Sequence, residues 1–270
     1  MDRIWTVVQK ELTDALRNRM TMATILISSV LFILLPLGMA YGMGPNGLLQ
    51  NLDSKPMDTS DLGPILQVYP QLRDLDPASQ LQGFMLSGIQ ALFLIIPLMV
   101  PMVIAVYSVI GEKQNRSLEA VLATPIETSE LLIAKCVAAA TPGILSAWVS
   151  YAVFTVLVWP ATRGPIFDLI IVRPSWILAL LLVAPAAAFL AVVLGLIVSS
   201  RASDPQSAQQ IAGVIVLPIV AVMIGQMAGV VQISVLFVLI GALVLLAIDA
   251  GLLTVAVKLF QRETILTRWK

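Results

Sequence analysis

Few side chains in this sequence can do chemistry, and their types already narrow the field. The 270 residues contain no His and one Cys, Cys136. Imidazole acid–base catalysis, haem ligation by His and HExxH zinc sites are therefore excluded, as are an intrachain disulfide and a thiolate cluster. No G-x-x-x-x-G-K-[ST] loop is present to cradle phosphates, and no G-x-G-D motif marks an intramembrane hydrolase. Two features remain. One is Asp249, a carboxylate inside a long apolar run, where an acid is expensive and a functional site is the default suspicion. At helical rise it lies about 13 Å before Lys258, so a place near the water boundary, or a hydrogen bond to a neighbouring helix, is the simpler account. The other is a charged run, Glu112-Lys113 with Arg116 and Glu119, set between two apolar stretches.

The elements that must position these residues follow from composition. Hydrophobic residues make up 59% of the chain and charged residues 12%, against roughly 45–50% and about 25% in soluble domains. Sixteen Lys+Arg balance sixteen Asp+Glu, for a formal net charge of zero. No basic surface for nucleic acid is left, and too few charges to coat a soluble domain. The expected class is an all-α, polytopic membrane protein. Charge-free stretches at 20–52, 77–111, 136–162, 174–200 and 205–248 hold spans of about 20 residues each. The last is long enough to turn back near Gln226–Ser234. Six spans are expected, at about 20–43, 85–110, 129–159, 174–200, 208–226 and 235–257, in one transmembrane domain over 1–270. The N-terminal apolar run is expected to stay as an anchor rather than be cleaved.

Lys and Arg set the orientation. Segments 1–19, 111–128, 201–207 and 258–270 hold Arg3, Lys10, Arg17, Arg19, Lys113, Arg116, Arg201, Lys258, Arg262, Arg268 and Lys270. The opposite set holds only Lys55, Arg73, Arg163 and Arg173. Lys135, near the start of the third span, belongs to neither. Both termini are therefore expected in the cytoplasm of a cell-membrane protein.

Residues 1–19 read as an amphipathic interfacial helix. Ile4, Val8, Leu12 and Ala15/Leu16 form its apolar face, with Trp5 beside them, and Lys10, Glu11, Asp14 and Arg17 lie on the other side. The 44–84 loop, expected outside, carries Pro45, Pro56, Pro64, Pro70 and Pro77 and cannot be one helix. Its Leu66, Val68, Tyr69 and Leu72 suggest a small packed cap. In the 111–127 segment, Glu112 and Arg116 pair at i, i+4, with Leu118, Val121 and Leu122 on an apolar face. Thr124-Pro125-Ile126-Glu127 is a capping box that starts a new helix. The result is a short amphipathic helix, suited to docking a soluble partner or to resting on lipid headgroups. Pro97 and Pro101, one turn apart, are expected to kink the second span.

Glu112-Lys113, Ser117-Leu118-Glu119, Val121-Leu122-Ala123-Thr124-Pro125 and Lys135 resemble the E-K/R…T-L-E-x-L-L-x-T-P…K pattern of ABC-2 type permeases. These are the membrane subunits of ATP-binding-cassette exporters. Lys10-Glu11-Leu12 and Arg17-Asn18-Arg19 are similar to that family's lead-in to the first span, and the sodium-export type is the nearest subgroup. Ser117 stands where the family usually has Thr, and Arg116 where a small residue is common. The resemblance implies a permease with no cofactor of its own and no catalytic or metal site. ATP would be bound by a separate ATPase subunit, and a second permease copy or paralogue would complete the pathway. The coupling helix would carry Glu112, Lys113, Arg116, Leu118, Glu119, Leu122, Thr124 and Pro125. Leu86-Ser87-Gly88-Ile89-Gln90 is one residue from the LSGGQ of those ATPases, but with no Walker motif it is a coincidence. A membrane scaffold or assembly factor without a pathway is the alternative. Both are embedded in lipid and neither binds nucleic acid.

Overall fold

The computed structural model describes residues 2–43, 66, 69–114, 128–162, 164, 166–202 and 204–259. Among them every regular element is helical. Six stretches are long and apolar enough to cross a membrane: Arg19–Met43, Pro77–Glu112, Ser129–Val158, Phe167–Arg201, Pro205–Met227 and Val235–Leu259. They are called spans one to six. The expected all-α polytopic fold and span count hold.

The N-terminal helix α1 (Asp2–Arg17) stops at Asn18, and α2 (Arg19–Met43) forms span one. Asn18 explains the break. Its Oδ1 accepts a hydrogen bond from the Met20 amide at 2.9 Å, capping α2.

Span two starts earlier than expected. Helix α3 (Pro77–Ile89) begins inside the segment assigned to the 44–84 loop. Asp76 caps it by accepting from the Ser79 amide at 3.1 Å, with Pro77 in the first turn, where its missing N–H costs nothing. Bonds from the Ser79 side chain and amide hold the Asp76 carboxyl below its ordinary pKa. Tyr69 and Leu72 are fully buried, and Tyr69 meets Phe84 edge-on at 5.9 Å. That part of the expected cap packs onto α3; Val68 and residues 44–65 lie outside the described residues.

A 3₁₀ stretch, Gln90–Ile95, separates α3 from α4 (Ile96–Gln114). Proline disturbs the turn that precedes it, because its ring collides with the carbonyl four residues back. The distortion therefore falls before Pro97 rather than at it. Pro101 stays inside a continuous helix. Gly143 makes room for its ring: a Cβ there would lie 2.3 Å from Pro101 Cγ.

Span three is one helix, α5 (Thr128–Val158). Span four is irregular: a π-turn Phe167–Ile171, α6 (Pro174–Leu178), a second π-turn Ala179–Val183, then α7 (Ala184–Arg201). Span five comprises α8 (Pro205–Ala212), a 3₁₀ turn Gly213–Val216 and α9 (Leu217–Met227). The chain reverses where expected, with Gly229 at φ 72°, and α10 (Val235–Leu259) forms span six.

Span two is the axis of the bundle. Its most apolar window is 89% buried, against 17% for span one and 11% for spans five and six. Small residues allow the close approach that packs helices where lipid is as apolar as Leu. A Cβ at Gly195 of α7 would sit 3.3 Å from the Met102 carbonyl, and one at Gly88 of α3 2.8 Å from Met227 Cγ.

Candidate functional site

The strongest concentration of buried charge lies at the end of the bundle that carries α1. Lys135, about two turns into α5, has only 5% of its side chain exposed. An ammonium there needs partners for three N–H donors, and it has three. Nζ donates to Glu11 Oε1 at 3.1 Å, to Ser108 Oγ at 2.7 Å and to Glu112 Oε1 at 2.7 Å. Ser108 passes its own hydrogen to Glu11 Oε2 at 2.9 Å. Glu11 and Glu112 are themselves 11% and 12% exposed. Lys10 stands 3.9 Å from Glu11 but is 59% exposed, so it adds screened attraction at most.

Three helices supply the cluster: Glu11 comes from α1, Ser108 and Glu112 from α4, and Lys135 from α5. The helices meet because α1 lays its apolar face on α5. Val8 is buried against Ala134 and Ala138, with Ile4, Val7 and Val137 around them. Small residues on α5 let α1 come close, which turns its Glu11 flank toward Lys135. The expectation for α1 is thus half right: the helix is amphipathic, but Glu11 faces inward. Trp5 and Leu16 remain exposed. Beside the cluster lies an open cleft of about 260 Å³ between α1 and α4, lined by Lys10, Asp14, Asn18, Tyr107 and Gly111 among others.

The family model described as ABC-2 family transporter protein matches residues 5–259. The chain belongs to that family. As an ABC-2 transporter protein it is a multi-pass membrane component of transport. No curated protein matches it.

Of the residues assigned to coupling in this ABC-2 transporter, Glu112 and Lys113 lie in the last turn of α4. The second half of span two and the start of the expected coupling segment are therefore one unbroken helix, because nothing between Ile96 and Gln114 stops it once Pro101 is accommodated. Only Glu112 among the eight has a described side chain. Arg116, Leu118, Glu119, Leu122, Thr124 and Pro125, with the capping box, lie outside the described residues.

Lys135 is a single position of the permease-like motif and belongs to neither set of the Lys and Arg count. A usable signal was present: a cation at the head of an apolar span invites the same suspicion as Asp249. Asp249 itself is in α10, within electrostatic reach of Cys136 on α5. Neither of its oxygens has a hydrogen-bond partner among the described residues, and both are shielded from solvent. Of the two simpler accounts, a hydrogen bond to a neighbouring helix finds no donor among the described residues. Asp249 stands apart from the cluster. Among the described residues no group of His, Cys, Asp and Glu could hold a metal ion.

The LSGGQ-like segment lies in the buried wall of span two. Leu86 and Ser87 are buried and Gln90 donates to the Tyr151 hydroxyl at 2.9 Å. A segment so placed has no surface to offer a nucleotide.

Proposed function

We propose that this chain is the permease subunit of an ATP-driven exporter. It would form the translocation pathway and dock a separate ATPase through the 112–123 segment. The observation that carries this reading is the continuity of α4. The most buried span of the bundle ends in α4, which runs without a break into Glu112 and Lys113, where the permease-like motif begins. A push on that segment would act directly on the axis of the bundle, and through Lys135 on span three. The charged end would then face the cytoplasm of a cell-membrane protein, with both termini there, as the Lys and Arg bias favours.

The exposed surfaces of spans one, five and six leave room for lipid and for a second permease copy or paralogue. ATP would be bound and hydrolysed on the partner, not on this chain. Because sodium-export permeases are the nearest resemblance, Na⁺ is the first cargo to assay. The test is affinity purification from native membranes followed by an ATPase assay of the complex. A soluble ATPase should co-purify, and charge reversal at Glu119 should uncouple its hydrolysis from transport while the spans stay folded. A stable chain with no ATPase attached would instead favour a scaffold.

A further inference from the structure

The link between α1 and α4 is made differently from the other helix contacts. Where α1 meets α5, Val8, Ala134 and Ala138 are packed. Where α1 faces α4 there is a cleft, and a Cβ added at Gly111 would meet nothing within 4 Å. Across that gap the described polar contacts all converge on Glu11, through Ser108 and through Lys135. Lys135 in turn holds Glu112 at 2.7 Å. At its other end α1 is separated from span one by a single non-helical residue, Asn18. Packing transmits displacement in every direction, but an ionic joint beside a cleft transmits only while the ions stay together.

We propose that Lys135 is a positioning residue for energy coupling, holding Glu112 of α4 and Glu11 of α1 in one charge cluster so that a displacement of the α4 end carries α1 and α5 with it. This rests on the coupling reading above. Removing the ammonium would leave α4 joined to α1 by the single Ser108–Glu11 bond and no longer held to α5 by charge, so that α4 could move with less of α1 following. Removing only the Glu11 carboxylate would weaken the link from α1 to α4, while α1 stays packed on α5 and α4 stays tied to α5 through Lys135 and Glu112. Arginine at 135 keeps the charge and the donors, and should restore the joint.

The experiment uses the full chain, purified with its ATPase into nanodiscs, in a Cys136→Ala background. Spin labels are placed at Thr13→Cys on the exposed side of α1 and Gln114→Cys at the end of α4. In the parent protein the label distance should be narrow and keep its value when ATP and vanadate are added. Lys135→Gln and Glu11→Gln should each broaden it and shift it on adding ATP and vanadate, and Lys135→Arg should return the narrow distance. Glu11→Gln keeps the test open should Lys135→Gln fail to fold. A narrow, unshifted distance in Glu11→Gln or Lys135→Gln, in a complex that still hydrolyses ATP, overturns this inference alone. A parent protein that purifies with no ATPase overturns the coupling reading and the inference with it.

Discussion

Two regions of the bundle bury polar side chains, and they do so for different reasons. At the end opposite α1 the groups are neutral, and most of them donate to backbone carbonyls. Gln82 Nε2 reaches the Ala40 carbonyl at 2.6 Å, in the last turn of α2, and the Ala161 carbonyl at 3.3 Å, just past α5. Gln90 also donates to the Ile170 carbonyl, Tyr151 to Ile171 and Trp148 to Leu180. All three acceptors lie in the π-turns of span four. Helix ends and π-turns leave carbonyls without their usual partners, and in lipid no water can serve them. This network answers a need of the backbone.

The Glu11–Ser108–Glu112–Lys135 cluster contains no backbone acceptor among its described bonds. Its described bonds run only from side chain to side chain, and well-packed apolar residues could replace them without orphaning a carbonyl that these bonds serve. A buried ion pair is weak evidence of stability, since desolvation offsets much of the attraction. The comparison teaches that the neutral network is accounted for by the local helix geometry. The charged one calls for a reason outside stability, and the reason we propose is its joining of three helices at the root of the proposed coupling segment.

The largest expected effect breaks the charged region. Lys135→Met leaves two carboxylates facing each other and should destabilise the protein by about 3–5 kcal/mol, read from unfolding in detergent. Replacing Glu11 and Glu112 by Gln in the same chain should recover most of that loss. A triple variant as unstable as the single one would show that the cluster is structural after all. Next, Gln82→Leu should cost about 1–3 kcal/mol by leaving its two carbonyls unpaired, with no neutral combination that restores it. Recovery through a second apolar substitution would remove the distinction between the regions.

Smaller again is the coupling between Gln90 and Tyr151. A double-mutant cycle with Gln90→Leu and Tyr151→Phe should give about 0.6 kcal/mol, the usual size for such bonds between membrane helices. An effect of similar size lies outside the membrane. Asp76→Ala should cost about 1 kcal/mol through loss of the α3 cap. Because folding lowers the Asp76 pKa from 3.8, its contribution should be fully present above that value. It should fade as pH falls through the lower folded value, so a pH series of unfolding curves should see parent and variant converge in acid.

Much of the fold was legible in the residues. Hydropathy and charge spacing yielded the six spans and the reversal at Gln226–Ser234, since the need to keep charge out of lipid acts on each stretch separately. Span starts were less legible. Asp76-Pro77 and Asp204-Pro205 are caps with Pro in the first helical turn, but they sit among loop-like residues that masked them. The second span's distortion was foreseen, though one turn late. The site was half legible: Glu112 and Lys113 stood out by spacing, whereas Glu11 was placed on the wrong flank and Lys135 on neither side.

By itself, then, the sequence determined what this chain must be: helical and embedded, with six stretches long and apolar enough to cross a membrane. Those are consequences of solvation, which each residue meets with its near neighbours. Only the tertiary structure decided which charges meet. Lys135 finds Glu112 across 23 positions and Glu11 across 124, and that meeting depends on how closely Ala134 and Ala138 let one helix lie on another, a property of packing that no stretch of sequence carries alone.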